Sequence, residues 1–380
     1  MTGLLNPEFE LVGTRTLGAD ALKAQGGVID VAKEGTRGVI GGLLAAEAGE
    51  AAWLLRDPSS PPPSEKRTGT ISLQTSGTTG APKWVVYGID RLTAKISRGR
   101  TQRARWLLSY NPGAFAGVQV ILSAMIGGHA LIAPKYGADV AEMARIAVRT
   151  SVTHISGTPT FWRAFLMALG DAHLDLKGVT LGGEAVDQPL LDSLHARFPD
   201  ASLRHIYATT EAGTLFSVSD GRAGFPRNWL YQPLNGLKLT LSDHDTLRVE
   251  NIMASDLARD EVWDTGDVVE LSGDRVLFKG RADAMVNIGG VKVYPESVEA
   301  HLLGLSFIQD ANVSSRPNPI TGHILTADIL LKPFPGDSGR DYAAEIRTHL
   351  AALPRASRPA SLRFVDALDI GATGKKLRQK

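Results

Sequence analysis

Residues 72–84 read SLQTSGTTGAPKW, a run of hydroxyls and glycines closing on a lysine. Glycines let backbone N–H groups converge on an anion, and hydroxyls add donors without charge. A lysine contributes one mobile positive charge. Thr75, Ser76, Gly77, Thr78, Thr79, Gly80 and Lys83 therefore form a candidate phosphate-binding loop. It is not a Walker A loop. Counting from Gly77, the place of the second glycine is held by Pro82, and Lys83 is followed by Trp84 instead of Ser or Thr. The proline before the lysine also keeps this turn from opening a helix. The competing reading is a flexible Ser/Thr/Gly linker, which the Ala-Pro-Lys tail and the flanking apolar strand oppose.

Five further clusters follow along the chain. LGGEAV (181–186) ends an apolar run, and YATTEAG (207–213) joins an aromatic face, hydroxyls and a carboxylate. Those groups suit a nucleobase, an oxyanion and a hard cation respectively. WDTGD (263–267), GRAD (280–283) and GATGKKLR (371–378) come later. Singly, several are weak: an isolated tyrosine is more often a core residue, and Thr-Gly-Asp is a common turn. In the basic tail Lys376, Arg378 and Lys380 read as solvated charge. Lys375 differs, because a glycine precedes it and the apolar strand SLRFVDALDI leads into it, an arrangement that can present one ammonium to a cleft.

Taken in order, these motifs resemble the adenylate-forming superfamily of acyl- and aryl-CoA synthetases, luciferases and peptide-synthetase adenylation domains. The resemblance covers roughly residues 70–380 and implies ATP, Mg²⁺ and a carboxylic acid as reactants, with CoA as acceptor or a carrier-protein arm or amine in its place. It implies that Gly182, Gly183, Glu184 and Ala185 lie against adenine and that Tyr207 stacks on it. Thr210 would contact the α-phosphate, and Glu211 would ligate Mg²⁺. Asp267 and Arg281 would meet the ribose, Asp283 would be the hinge, and Gly289 and Gly290 would line a thiol channel. Lys375 would be the catalytic lysine, acting with Thr210 and Glu211. The acyl pocket is expected to draw on Phe115, Thr158, Phe161 and Gly182. Ala208 replaces a family glycine, and Ala284 stands where a second acidic residue is frequent. Only 74 residues precede Thr75, a shortened build similar to compact o-succinylbenzoyl-CoA synthetases. Their pocket histidine is replaced here by Gly113 or Ala114, which puts that particular substrate in doubt.

The elements that must position these groups alternate. Strands are expected at 70–74, 103–110, 129–134, 152–157, 178–183 and 202–208, with helices at 90–99, 115–126, 138–150, 158–170 and 187–198. That alternation means βαβ units and a mostly parallel sheet. Residues 1–55 read as short helices, and the proline-rich 57–70 as a surface connector. From about 213 to 280 short strands and turns take over. The expected architecture is α/β: a large adenylation domain over 1–280, a hinge at 281–283, and a small mobile α+β domain over 284–380.

Composition narrows the function class. The 380 residues carry 41 basic and 40 acidic side chains, a net charge of +1 that argues against a nucleic-acid partner. There is no cysteine, so disulfides, thiolate metal sites and a cysteine nucleophile are excluded. The N-terminal residues lack a secretory pattern, and the apolar stretches 38–55 and 116–133 are interrupted by Glu47, Glu50 and Gly127-Gly128-His129. A cytoplasmic, non-membrane enzyme is the expectation, with a homodimer covering apolar surface at 38–55. No histidine cluster has transition-metal spacing.

Overall fold

The computed structural model describes residues 3–65, 67–75, 82–96, 102–209, 213–234, 236–251, 262–332, 340–369 and Lys376. They fall into two compact units, Met1–Gly183 with His195–Ser219, and Glu184–Leu194 with Asp220–Gly371 and the segment from Lys376. The units therefore part near Gly183 and Ser219, and the residues on either side of 281 share one unit.

The first unit holds an eight-stranded and a four-stranded sheet. The larger runs in spatial order Gly213–Val218, Ser202–Thr209, Gly178–Gly182, His154–Gly157, Arg105–Leu107, Ala130–Ile132, Glu10–Val12 and Thr16–Gly18. Inner neighbours are parallel, and the two edge strands are antiparallel to theirs. The expected alternation holds because the crossover helices are written into the sequence. Asp139 caps Val140–Arg149 by accepting from Glu142 N at 2.7 Å, and Thr158 caps Pro159–Leu169 by accepting from Phe161 N at 3.0 Å. Gly128, at φ +66°, ends the helix Phe115–Gly127 in the left-handed region that glycine tolerates.

Residues 1–55 depart from the short helices expected of them. They contribute strands Glu10–Val12, Gly27–Asp30 and Ala51–Leu55, together with a helix over Val31–Glu47 that bends at Gly35. Gly27–Asp30, Ala51–Leu55 and Thr70–Thr75 pair in parallel, and Lys83–Gly88 closes this sheet antiparallel. The 38–55 stretch is likewise not a free apolar face. Val39, Ile40, Leu43 and Leu54 are fully buried in the chain's own core, so the surface invoked for a second subunit is absent there. The expected helix at 90–99 is observed over Ile89–Thr93.

In the second unit a five-stranded antiparallel sheet runs Phe225–Pro226, Arg275–Arg281, Trp263–Ser272, Thr246–Asn251 and Leu237–Leu241. After residue 281 come a two-stranded ribbon, Val286–Ile288 with Val291–Val293, and the helix Pro295–Leu302. Ile308–Asn318, Gly322–Leu331 and Ser361–Val365 form a three-stranded sheet, with the helix Tyr342–Leu350 between its last two strands. Val298, Leu302, Ala311, Val313, Ile329 and Ile346 build its core. Among the described residues no helix is long and apolar enough to cross a membrane.

Candidate active site

The loop is carried on a hairpin. Thr70–Thr75 and Lys83–Gly88 pair in a register that sets Thr75 opposite Lys83, and the Thr75 hydroxyl donates to the Lys83 carbonyl at 3.3 Å. Both ends of the turn are thus held side by side, with Lys83 exposed at the head of its strand. Ser76, Gly77, Thr78, Thr79 and Gly80 lie outside the described residues.

The Gly-Gly turn and the tyrosine motif meet by strand register. Gly182 ends its strand opposite Ile206, the residue before Tyr207. A side chain at Gly182 would come within 3.4 Å of the Ile206 carbonyl, and Gly183 sits at φ +86°, where a Cβ is strained. Tyr207 stacks on Phe216 of the edge strand, centroids 5.1 Å apart and planes 26° apart. Directly after it the pairing slips, from Tyr207↔Phe216 to Ala208↔Thr214. Such bulges re-aim side chains at the ends of strands. Thr210 and Glu211 lie outside the described residues.

Phe115 connects two of these pieces. Its ring is 5.7 Å from that of Tyr87 on the loop hairpin, and a Cβ at Gly213, the last residue of the tyrosine motif, would lie 3.7 Å from its Cζ. Lys95 donates to the carbonyls of Thr214 and, at 3.4 Å, Leu215. Thr158 and Phe161, by contrast, are core residues. Thr158 uses its hydroxyl as a helix cap, and Phe161 packs on Phe165 and Trp162 with centroids at 5.4 and 5.9 Å. A Cβ at Gly157 would sit 2.3 Å from the Phe161 ring, so this packing requires glycine there.

In the second unit Arg281 is the hub. Its guanidinium donates to the Thr265 carbonyl at 2.7 Å, to Asp267 Oδ1 at 3.4 Å and to Asp283 Oδ1 at 3.3 Å. Burial opposes its charge, but Asp283 and Asp267 outweigh that and hold the group above its ordinary value. The Thr-Gly-Asp turn is itself braced, since Thr265 donates to the Leu247 carbonyl at 2.8 Å and accepts from Asp267 N at 3.1 Å. Three residues predicted from two separate motifs, Asp267 from one and Arg281 and Asp283 from the other, are therefore one bonded cluster. Glu184 and Ala185 belong to the same unit as this cluster, Gly182 and Gly183 to the other. Gly289 and Gly290, at φ +58° and +88°, form the turn of the two-stranded ribbon, and Gly289 N donates to the Thr321 carbonyl at 2.9 Å.

Lys375 lies outside the described residues, but its neighbour corrects one expectation. Lys376 is not solvated charge. Its ammonium is 8% exposed and contacts Asp310 Oδ1 at 2.6 Å, Glu299 Oε2 at 3.6 Å and the Ala311 carbonyl at 2.6 Å. The signal sat in its partners: Glu299 falls on the buried stripe of its helix with Pro295, Val298 and Leu302, where a carboxylate requires a counter-charge.

A family model described as AMP-binding enzyme matches residues 18–250. The chain belongs to the AMP-binding enzyme family. This AMP-binding enzyme is 25% identical over 345 residues to tyrocidine synthase 3 of Brevibacillus parabrevis, covering 80% of this chain and 5% of that protein. It is 27% identical over 350 residues to the 2-succinylbenzoate–CoA ligase of Bacillus pumilus, covering 83% of this chain and 68% of the relative. The chain spans only 5%, 10% and 14% of the first three curated relatives. The crystal structure of the anthranilate CoA ligase AuaEII in complex with anthranoyl-AMP superposes with a TM-score of 0.72 at 17% identity, covering 96% of this chain and 92% of that one. The architecture is that of the adenylate-forming fold.

Proposed function

We propose that this chain converts a small-molecule carboxylic acid to its acyl-adenylate with MgATP and passes the acyl group to a thiol, CoA in the first instance. The observation that carries the reading is that the matched stretch, 18–250, takes in both the phosphate loop and the tyrosine motif in one order. In the first step a carboxylate oxygen bonds to the α-phosphorus, and the bond to the bridging oxygen of pyrophosphate breaks. In the second a thiolate attacks the acyl carbon, and AMP leaves.

The protein forms no covalent bond in the first step, so it must align two anions and neutralise charge at the α-phosphate. Thr75, Lys83 and the hydroxyls and glycines between them hold the β- and γ-phosphates. Tyr207 stacks on the base, while Asp267, oriented by Arg281, accepts from the ribose hydroxyls. Thr210 and Lys375 act at the α-phosphate, and Glu211 is the carboxylate for the cation that arrives with ATP. Lys376 is committed to two buried carboxylates, which favours Lys375 as the lysine of the Lys-Lys pair that acts on substrate. Phe115 and Gly182 border the acyl group. Its similarity to tyrocidine synthase 3 makes a carrier-bound thiol the second acceptor to test.

The test is pyrophosphate release from MgATP across aryl, fatty and dicarboxylic acids, with and without CoA. Release that one acid elicits and CoA accelerates is the expected result. An adenylate that CoA does not discharge transfers the proposal to a carrier thiol or an amine. Silence across the panel overturns it.

A further inference from the structure

The proline-rich stretch after Arg56 is not a loose connector. Gln74, immediately before Thr75, is 2% exposed, and its amide bonds to Arg56 and to that stretch. Its Oε1 accepts from Arg56 N at 2.6 Å and Asp57 N at 2.8 Å, and its Nε2 donates to the carbonyls of Asp57 and Ser60, both at 2.9 Å. Two acceptor sites and two donors are the full capacity of a carboxamide. The Arg56 guanidinium donates in return to the Gln74 carbonyl. At the other end of the turn, Ser60 Oγ donates to the Pro82 carbonyl at 3.2 Å and Trp84 Nε1 to the Pro61 carbonyl at 3.0 Å. Residues 57–61 therefore bond to residue 74 on one side of the hairpin and to 82 and 84 on the other.

We propose that Gln74 and this strap are positioning elements for the phosphate-binding hairpin, fixing Thr75 and Lys83 for the polyphosphate of ATP. The inference rests on the reading that this hairpin holds the β- and γ-phosphates. Ordering one residue costs on the order of 1–2 kcal/mol, so a turn whose ends are already set yields more of its contact energy as affinity. The amide is specific to the task. Glutamate would turn a carboxylate oxygen toward two carbonyls, and methionine would leave two N–H groups and two carbonyls of the strap without that partner. A role confined to stability would weaken all nucleotides alike, whereas this one acts on the phosphates beyond the first.

The experiment is isothermal titration of the full chain with MgATP and, separately, with AMP. The variants are Gln74→Met and a milder double substitution, Ser60→Ala with Trp84→Phe, which removes the far attachments and keeps Gln74. Wild type is expected to bind ATP more tightly than AMP. Each folded variant should lose about tenfold in ATP affinity, the scale of one or two net hydrogen bonds, with AMP affinity retained. An unchanged ATP advantage in the folded double variant, or an equal loss for both nucleotides, overturns the positioning role while leaving the ATP reading intact. Wild type that binds ATP no better than AMP overturns the hairpin's phosphate role, and the strap's with it.

Discussion

Replacing Lys376 by methionine removes the one cation from a buried trio and keeps most of the chain length of the side chain. Glu299 and Asp310 are 7% and 5% exposed and converge on the ammonium from 3.6 and 2.6 Å. Each also accepts from a backbone N–H, Glu299 from Val313 N at 2.8 Å and Asp310 from Ala311 N at 2.8 Å. Breaking a buried pair by removing one partner costs about 3–5 kcal/mol, because the other charge stays buried. Here two carboxylates remain, packed against each other without the cation between them. Urea midpoints of wild type, Lys376→Met and Lys376→Met with Asp310→Asn provide the measurement. The double variant should recover part of the loss, because it leaves one buried carboxylate in place of two. A single variant within about 0.5 kcal/mol of wild type, as for a surface lysine, would refute the reasoning.

Lys375→Ala should lower pyrophosphate release by on the order of 100- to 1000-fold with ATP binding by calorimetry largely retained; unchanged adenylation would remove Lys375 from the mechanism. If Asp283 is a hinge, Asp283→Pro, in the turn Ala282–Ala284, should slow the complete reaction more than adenylation, because a proline fixes a dihedral that a hinge there would change. Equal effects in single-turnover assays of the two steps would count against the hinge. His154, packed 4.9 Å from Trp106 and hydrogen-bonded to Thr153 at 2.9 Å, has its pKa lowered to about 4 by burial, with His129 and Arg204 adding to it. The unfolded chain then binds the proton first, so stability falls as pH drops from about 6.5 towards 4. His154→Gln should flatten that part of the profile in thermal scans, and an unaltered slope would assign it to other groups.

The alternating half of the fold was legible because its signals are local. Asp139 and Thr158-Pro159 announce helix starts, and the apolar runs between them are short enough for strands. Residues 1–55 misled for the opposite reason: AAWLL, buried along most of its length, has no period-two alternation to separate it from a helical fragment. The clusters around Asp267 and Tyr207 were visible as motifs, but their bonding depends on strand register. The contacts of Gln74 and Lys376 were not legible. Gln74 finds its partners in a stretch whose composition reads as linker, and those of Lys376 come from a distant helix and strand. Thr158 and Phe161 show the converse, residues at expected pocket positions that the core already uses.

The segment Glu184–Leu194 belongs to the second unit although the strands before and after it belong to the first. Gln188 carries part of that membership, donating to the Gly221 carbonyl at 2.9 Å and accepting from Ala223 N at 2.9 Å. A gene fragment starting at Asp220 would therefore leave Gly221 and Ala223 without Gln188, and one ending at Ser219 would leave Gln188 without them. During synthesis the helix Gln188–Arg197 leaves the ribosome first, so these two bonds form only once residues 221–223 have followed.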